Sequence, residues 1–303
     1  MRPIHLLWAV AVTAIWGFNF VIIKIGLGSF PPLLLTALRF TLAAAPALFL
    51  ERPRVPWRHL ISTGLTLFVG QYTLMFVAMS HGMPPGLASI TLQVQVCFTM
   101  LIGLFWLGER PRLRQWAGAA VAFAGLAAIG SSVGGDATAL GLGLTILSAL
   151  SWACGNLLLK QMPPTRDGRP IPMLNLIVWL SLIPPIPAFA LSLGFEGPSR
   201  ILAALAQAGW TGLGALFYIS AFSTLVGFGI WGRLLSLYSA ATVVPFSLLV
   251  PIFGAASAAL VFHESFGPAR LLGMLLIMSG LAIVALPVGS AGRQAKQTAR
   301  SFL

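Results

Sequence analysis

The sequence consists largely of long apolar runs that carry almost no charge. A helix needs about 20 apolar residues to cross a hydrocarbon layer roughly 30 Å thick. Charged residues make up only 8% of the chain and the mean hydropathy is +0.93, which excludes an ordinary water-soluble globule. The sequence therefore predicts an all-α integral membrane protein with ten transmembrane helices. The ten candidate spans cover residues 6–27, 31–50, 60–80, 84–107, 113–131, 138–160, 171–194, 209–231, 240–262 and 268–288.

The excess of basic residues is explained by membrane topology. The chain has 18 Lys and Arg against 6 Asp and Glu, a net charge of +12. With a cytoplasmic N-terminus, fourteen of the basic residues fall in cytoplasmic segments, and only Arg200 and Arg270 fall in outer loops. Basic residues accumulate on the cytoplasmic side of membrane proteins. We therefore expect both termini in the cytoplasm, a cytoplasmic tail over residues 291–303, and no nucleic-acid partner.

Two sequence blocks recur in the two halves of the chain. Residues 16–24 read WGFNFVIIK and residues 152–160 read WACGNLLLK. A second set recurs exactly 155 residues further along: Glu109, Gly118 and Gly125 become Glu264, Gly273 and Gly280. Five spans in each half place the halves upside down relative to each other, and inverted repeats are typical of transporters. The sequence predicts a first five-helix repeat over residues 1–136 and a second, inverted repeat over residues 137–290.

The acidic residues all lie at span ends or in loops. A carboxylate inside the membrane is the usual carrier of a proton or sodium ion, so this pattern argues against carboxylate-coupled antiport. Glu109 and Glu264 occupy equivalent span ends on opposite faces. They are either paired latches at the two mouths or ordinary ion pairs, with Arg112 or Arg114 and with Arg270 respectively.

Several other residues are candidates for gating or structural roles. Arg39 lies about 12 Å into the second span, where exposure to lipid would cost about 2.5–3.5 kcal/mol. It must snorkel or face protein, and it either binds a substrate carboxylate or ties to backbone carbonyls. Lys24 and Lys160 share this ambiguity. Pro245 and Pro251 are either hinges in the ninth span or prolines that the membrane tolerates.

Neutral polar residues near the middle of the spans are candidates for substrate binding. Gln71 and Tyr72 lie about 16–18 Å into the third span, and Gln93 and Gln95 about 14–17 Å into the fourth. Residues two apart on a helix differ by about 200°, so Gln93 and Gln95 cannot both line one cavity. Each amide either lines a cavity or forms an interhelical hydrogen bond.

Motifs for other classes of protein are absent or lie in the wrong context. Residues 227–232 read GFGIWG but end an apolar span, and residues 130–134 read GSSVG without a nearby histidine. Both glycine groups are interpreted as close helix packing or a helix end. The two cysteines fit no zinc pattern. We expect no enzyme activity, no cofactor and no metal.

Six stretches resemble the EamA family of the drug/metabolite transporter superfamily over nearly the whole chain: WGFNFVIIKIGL, PPLLLTALRF, GMPPGLASITLQVQ, LGERP, SWACGN and VVPFSLLVPIFGAASAAL. The resemblance implies two inverted five-helix halves, with spans 1, 3, 4, 6, 8 and 9 around a central cavity. It implies these substrate-binding candidates: Trp16, Asn19, Gln71, Tyr72, Gln93, Gln95, Trp152, Asn156, Tyr218 and Thr224. The membrane-embedded glutamate that small multidrug relatives use in their first helix has no counterpart here.

Together, these features predict a multi-pass transporter of the bacterial inner membrane that exports amino acids and related metabolites. Alternating access around a neutral polar and aromatic cavity would move the substrate, and a chain that fuses both halves could act as a monomer. The alternative is a broader exporter of drugs or nucleotide-type metabolites, with or without proton coupling.

Overall fold

The computed structural model describes residues 1–134, 136–162 and 171–285, and every regular element within these ranges is helical. The expected tail over residues 291–303 lies outside the described residues, as do Arg166 and Arg169 of a loop counted as cytoplasmic. Nine of the described helices are long and apolar enough to cross a membrane. The second candidate span forms a shorter apolar helix.

The helices follow one another along the chain with short connections. A short extra helix lies between the seventh and eighth candidate spans, so the last three candidate spans form the ninth, tenth and eleventh helices. The helices are α1 (Pro3–Leu27), α2 (Pro32–Leu48), α3 (Trp57–Ser80), α4 (Pro85–Leu107), α5 (Leu113–Ser131), α6 (Ala139–Lys160), α7 (Met173–Phe195), α8 (Pro198–Ala206), α9 (Trp210–Leu237), α10 (Val244–Phe262) and α11 (Pro268–Ala285).

Proline and left-handed residues mark several helix ends. The first residues of α2 and α4 are prolines, which have no N–H group to leave unpaired at a helix start. The last helical turns of α4 and α10 are followed by Gly108 and His263, whose φ angles of 65° and 52° are left-handed. These two residues are also 155 positions apart.

Two features of the helices were not predicted from the sequence. Helix α7 is interrupted at residues 181–184, between helical parts Met173–Leu180 and Pro185–Phe195. Helix α8 forms in a stretch that we expected to be a loop, and it buries Ile201.

Helices α3 and α9 contain wider, π-helical turns at residues Leu65–Gly70 and Tyr218–Val226. Such turns disturb the regular backbone hydrogen bonding, and neighbouring side chains contact them here. The Ser151 hydroxyl of α6 donates to the Thr66 carbonyl at 2.7 Å. The Trp16 indole of α1 donates to the Ser223 carbonyl at 2.9 Å. Each irregular turn is therefore tied to a neighbouring helix.

Helices α5 and α11 pack closely through the four glycines that share the spacing of 155 residues. A Cβ on Gly118 would lie 2.7 Å from the Gly280 carbonyl oxygen, and one on Gly125 would lie 2.6 Å from that of Gly273. The contacts are reciprocal, because Gly118 recurs as Gly273 and Gly125 as Gly280. Only glycine allows the two backbones to approach this closely.

The remaining central contacts join helices from the two halves of the sequence. Helix α1 packs against α10, α3 against α6, and α4 against both α6 and α10. Gly17 of α1 and Gly155 of α6 face the backbones of α10 and α3 at distances that leave no room for a side chain. The expectation of close packing is confirmed for Gly227, which faces the Trp16 indole, and for Gly232, which faces Met173.

Candidate functional site

Two of the predicted polar residues meet between α4 and α6. The Asn156 side-chain amide donates to Gln95 Oε1 at 2.9 Å, and both residues are half-buried. Gln93 is buried instead, as the 200° separation between the two glutamines requires. Gln95 and Asn156 are therefore the pair of amides that the fold brings together.

A second group joins α1 to α9. Besides the Trp16 hydrogen bond to the π-helical turn, the Tyr218 hydroxyl donates to the Ile15 carbonyl at 3.0 Å. The Trp16 ring lies 5.1 Å from the Phe228 ring and 5.2 Å from the Trp231 ring, measured between centroids. Trp16, Phe228 and Trp231 thus form one aromatic group between the two helices, in which Trp231 is buried and the other two are half-buried.

The other predicted residues are distributed around these two groups. Gln71 and Asn19 are buried, and the Asn19 Oδ1 atom has no hydrogen-bond partner among the described residues. The backbone carbonyl of Gln71 accepts a hydrogen bond from the Ser148 hydroxyl of α6 at 2.7 Å. Trp152 is half-buried against the hydrophobic core. The unpartnered Asn19 oxygen is an acceptor left open within the described structure.

Arg39 faces protein, which is one of the two outcomes expected for a charge at that depth. Of its two possible roles, the tie to backbone carbonyls is not found among the described residues. Its Nη2 atom donates to the Thr224 hydroxyl at 3.1 Å, and its guanidinium carbon lies 4.1 Å from the Tyr72 ring centroid. Lys24, by contrast, does bind a backbone carbonyl, that of Met79, at 3.2 Å.

Two carboxylates cap the first turns of α2 and α4 at one end of the bundle. Glu264, after α10, accepts from the N–H groups of Gly86 and Leu87 at 2.9 and 3.1 Å. Glu196, after α7, accepts from those of Leu33 and Leu34 at 2.7 and 3.0 Å. We call this region, defined by Glu196, Glu264 and the two capped turns, the clamped end.

The expected pairing of Glu264 with Arg270 is wrong, because Arg270 binds Asp136 instead. The two Arg270–Asp136 contacts measure 2.6 and 3.0 Å. The Arg270 guanidinium lowers the pKa of Asp136 below its ordinary value. Burial raises the pKa of Glu264, although the two backbone N–H groups act in the opposite direction.

At the opposite end, Glu109 pairs with Lys160 of α6 and not with Arg112 or Arg114, so that expectation is also wrong. The ion pair is open to solvent, with 59% of the Lys160 side chain and 40% of the Glu109 side chain exposed.

The last part of α4 packs mainly on α6, whereas the start of α10 packs on α11 and α1. Pro245 lies in a tight turn at that start, and Pro251 is buried in the helix that follows.

Sequence reasoning missed Glu196 and Asp136. The signal that could have found Glu196 is the pair of prolines at residues 31–32, which matches the pair at residues 84–85. Each proline pair is followed by two N–H groups in the first helical turn that need an acceptor. An acidic residue near each was therefore to be expected, although the sequence does not say which one.

The described helices are those of a polytopic membrane protein, and its family match shows that it is a transporter and not an enzyme. The model of the EamA-like transporter family matches residues 3–131 and again residues 139–286. The chain belongs to this family and is a multi-pass protein of the bacterial inner membrane.

Relatives and a solved structure agree with this assignment. Proteins described as a probable amino-acid metabolite efflux pump, from Escherichia coli and Salmonella typhimurium, are each 45% identical over 91% of this chain and 92% of their own length. The uncharacterized transporter YvbV of Bacillus subtilis is 27% identical over 89% of this chain and 87% of its own length. One crystal structure matches with a TM-score of 0.58 at 17% identity, covering 94% of this chain and 98% of the other, which shows a shared fold.

Proposed function

We propose that this protein exports amino acids and related small metabolites through a neutral polar and aromatic cavity between α1, α3, α4, α6, α9 and α10. The observation that carries the proposal is the meeting of uncharged groups from these helices. Gln95 accepts a hydrogen bond from Asn156. Trp16 of α1 donates to a backbone carbonyl of α9, and Tyr218 of α9 donates to one of α1. The names of the two relatives that are 45% identical also favour amino-acid metabolites as substrates.

Each candidate group has a role that suits its chemistry. Trp16 and Trp152 cover the apolar part of the substrate with aromatic faces. The unpartnered Asn19 Oδ1 atom accepts from the substrate ammonium group, because a buried acceptor gains most from a charged donor. Gln71 and Asn156 supply further hydrogen bonds. Tyr72, Gln93, Gln95, Tyr218 and Thr224 complete the proposed lining.

The proposed architecture is two inverted repeats, over residues 1–136 and 137–290. Three observations support it. The glycines of α5 and α11 contact reciprocally at the spacing of 155 residues. The π-helical turn at Leu65–Gly70, shifted by 155 residues, falls within Tyr218–Val226. The family model matches the chain twice, once in each half.

The proposed mechanism is alternating access, in which the two ends of the bundle open in turn. With both termini in the cytoplasm, the clamped end faces outward, and we propose that the Glu196 and Glu264 caps belong to the state that is closed on that side. Charge distribution in the sequence supports this orientation. Inverted halves that rock against each other supply the motion.

The driving force proposed is the gradient of the substrate itself. All six acidic residues lie outside the middle of the spans, so transport is not coupled through a carboxylate there. We propose that one chain is sufficient for this activity.

Uptake of labelled amino acids into proteoliposomes tests the proposal, with and without an imposed pH gradient. We expect saturable uptake without a gradient, reduced strongly by Gln71→Ala and by Asn156→Leu. The matched control is Gln207→Ala, at an exposed position after α8. Full transport by both site variants would contradict the site, and a folded wild-type protein that moves no amino acid would contradict the function.

A further inference from the structure

Arg39 is a buried cation whose hydrogen-bonding groups are largely unused. Its side chain lies in α2, and the residue is 1% exposed. Of its three guanidinium nitrogens, Nε and Nη1 have no hydrogen-bond partner in the described part of the chain. A charge inside the membrane is costly and normally has a partner. The unpaired nitrogens of Arg39 therefore indicate that a binding partner is missing among the described residues.

The groups around Arg39 stabilise the positive charge without supplying an anion. The rings of Tyr72, Phe40 and Phe76 have centroids 4.1, 5.5 and 5.9 Å from the guanidinium carbon. Aromatic faces attract a cation but accept no strong hydrogen bond. The Thr224 hydroxyl accepts from Nη2 of Arg39 and donates its own hydrogen to the Ile219 carbonyl at 2.9 Å.

The buried Arg270 shows what a satisfied arginine looks like in the same protein. Its guanidinium binds both carboxylate oxygens of Asp136, at 2.6 and 3.0 Å. A planar guanidinium and a carboxylate fit each other in this two-bond geometry. Arg39 has the same donors but no carboxylate among its described partners.

We infer that Arg39 binds the carboxylate of the transported amino acid. This inference rests on the proposed function and gives Arg39 the role of recognising the acid group of the substrate, while the amide groups named above serve its ammonium group. Nε and Nη1 provide the unused donors, and Thr224 holds the third nitrogen in place.

The surroundings of Arg39 are suited to a site that opens during transport. The guanidinium is shielded in this conformation, so a neighbouring helix must move before a substrate can reach it. Both helices that contact it carry π-helical turns, Leu65–Gly70 shortly before Tyr72 in α3 and Tyr218–Val226 around Thr224 in α9. Irregular turns of this kind are frequent at functional sites.

The test compares an amino acid with its carboxamide, which keeps the ammonium group and loses the negative charge. We would measure KM and kcat for both in proteoliposomes, for wild type, Arg39→Gln, Arg39→Lys and the exposed control Arg200→Gln. We expect Arg39→Gln to raise KM for the amino acid about 30-fold or more while changing that for the carboxamide little. Arg39→Lys should restore part of the preference, and the control should keep all of it.

A second readout tests anion binding without transport. Acetate and the amino acid should each raise the thermal unfolding temperature of purified wild-type protein, and neither should do so in Arg39→Gln. Equal losses for amino acid and carboxamide, or no stabilisation of wild type by acetate or by the amino acid, would overturn the inference. Wild-type protein that is stabilised through Arg39 but transports no amino acid would overturn the proposed function alone.

Discussion

The two ends of helix α4 differ in how they are held. At its first turn, every residue of Pro85–Thr91 is buried, and Glu264 caps two backbone N–H groups. In the last part, Gln95–Leu107, only Cys97 and Gly103 are buried, and the Glu109–Lys160 pair is open to solvent. Because Glu109 and Glu264 are equivalent by the spacing of 155 residues, similar residues here make contacts of very different strength.

The difference shows that the surroundings of a carboxylate determine how much it contributes to the stability of the fold. A hydrogen bond to a charged group contributes about 1.5–3 kcal/mol, and Glu264 makes two of them in a largely buried place. An exposed ion pair contributes about 0–1 kcal/mol. The contacts at the clamped end are thus stronger than the exposed ion pair at the opposite end.

We expect the largest loss of thermal stability from changes at the glycine contact between α5 and α11. Gly125→Ala and Gly273→Ala would each place a methyl group against backbone atoms, so the helices must separate. Overpacking of this kind costs about 1–3 kcal/mol, and we expect similar losses of thermal stability for the two variants. Gly143→Ala, with open space around it, is the control. A stable variant at either position would contradict the rigid contact.

The next effect is expected at the clamp itself. Glu264→Ala leaves two backbone N–H groups without their acceptor, and because Glu264 is only half-buried, water can replace it in part, so the total cost is about 1–3 kcal/mol or less. The clamped end should open, and a cysteine placed at the buried position Ser89 should react with a water-soluble maleimide at least about tenfold faster. Glu109→Ala, the equivalent change at the other end, should leave that rate unchanged. Slow labelling in Glu264→Ala would show that the clamp does not hold this end.

The pH dependence of stability should distinguish Glu264 from its neighbour Asp136 by its sign. The pKa of Glu264 is raised by burial, so the part of the stability that is linked to its protonation is fully present below the ordinary glutamate pKa of about 4.3 and is lost as pH rises through the raised value. The hydrogen bonds that the carboxylate accepts from Gly86 and Leu87 are separate from this part. The pKa of Asp136 is lowered, so its contribution is present above about 3.9 and is lost as pH falls through the lowered value. Arg270 faces both groups and stays charged.

Thermal unfolding over this pH range checks both signs, with Glu264→Gln and Asp136→Asn as the references that do not titrate. The stability of wild type relative to Glu264→Gln should grow toward acidic pH. Its stability relative to Asp136→Asn should shrink only at the acidic extreme. The same sign for both differences would contradict the assignment of burial as the dominant effect at Glu264.

The smallest effect is expected at the opposite end. Lys160→Gln removes an exposed ion pair, which contributes about 0–1 kcal/mol and is weakened by salt. Thermal stability should fall slightly at low ionic strength and match wild type at high ionic strength. A large loss that salt does not reduce would mean that this end is held as firmly as the other.

Sequence reasoning predicted the features that depend on composition and spacing. Hydropathy located the nine helices of the described residues that are long enough to cross a membrane, and a charge at the depth of Arg39 had to face protein or snorkel. It could not predict contacts that depend on which helices become neighbours. Glu264 accepts hydrogen bonds from the start of α4 and not from the nearby Arg270. Arg270 binds Asp136, which lies in another loop. The π-helical turns leave no pattern that we could read in the sequence, because hydrogen bonds from α1 and α6 support them.

The most direct test of alternating access is a distance measurement at both ends of α4 by pulsed electron spin resonance. Spin labels would replace His81 and Ser265 at the clamped end and Arg110 and Ser236 at the other, in a protein without Cys97 and Cys154. These pairs are equivalent by the spacing of 155 residues. Without substrate, we predict a single short distance for the first pair. Saturating amino acid, or Glu264→Ala, should lengthen the first distance and shorten the second. Distances that lengthen together, or an end that never moves, would contradict alternating access.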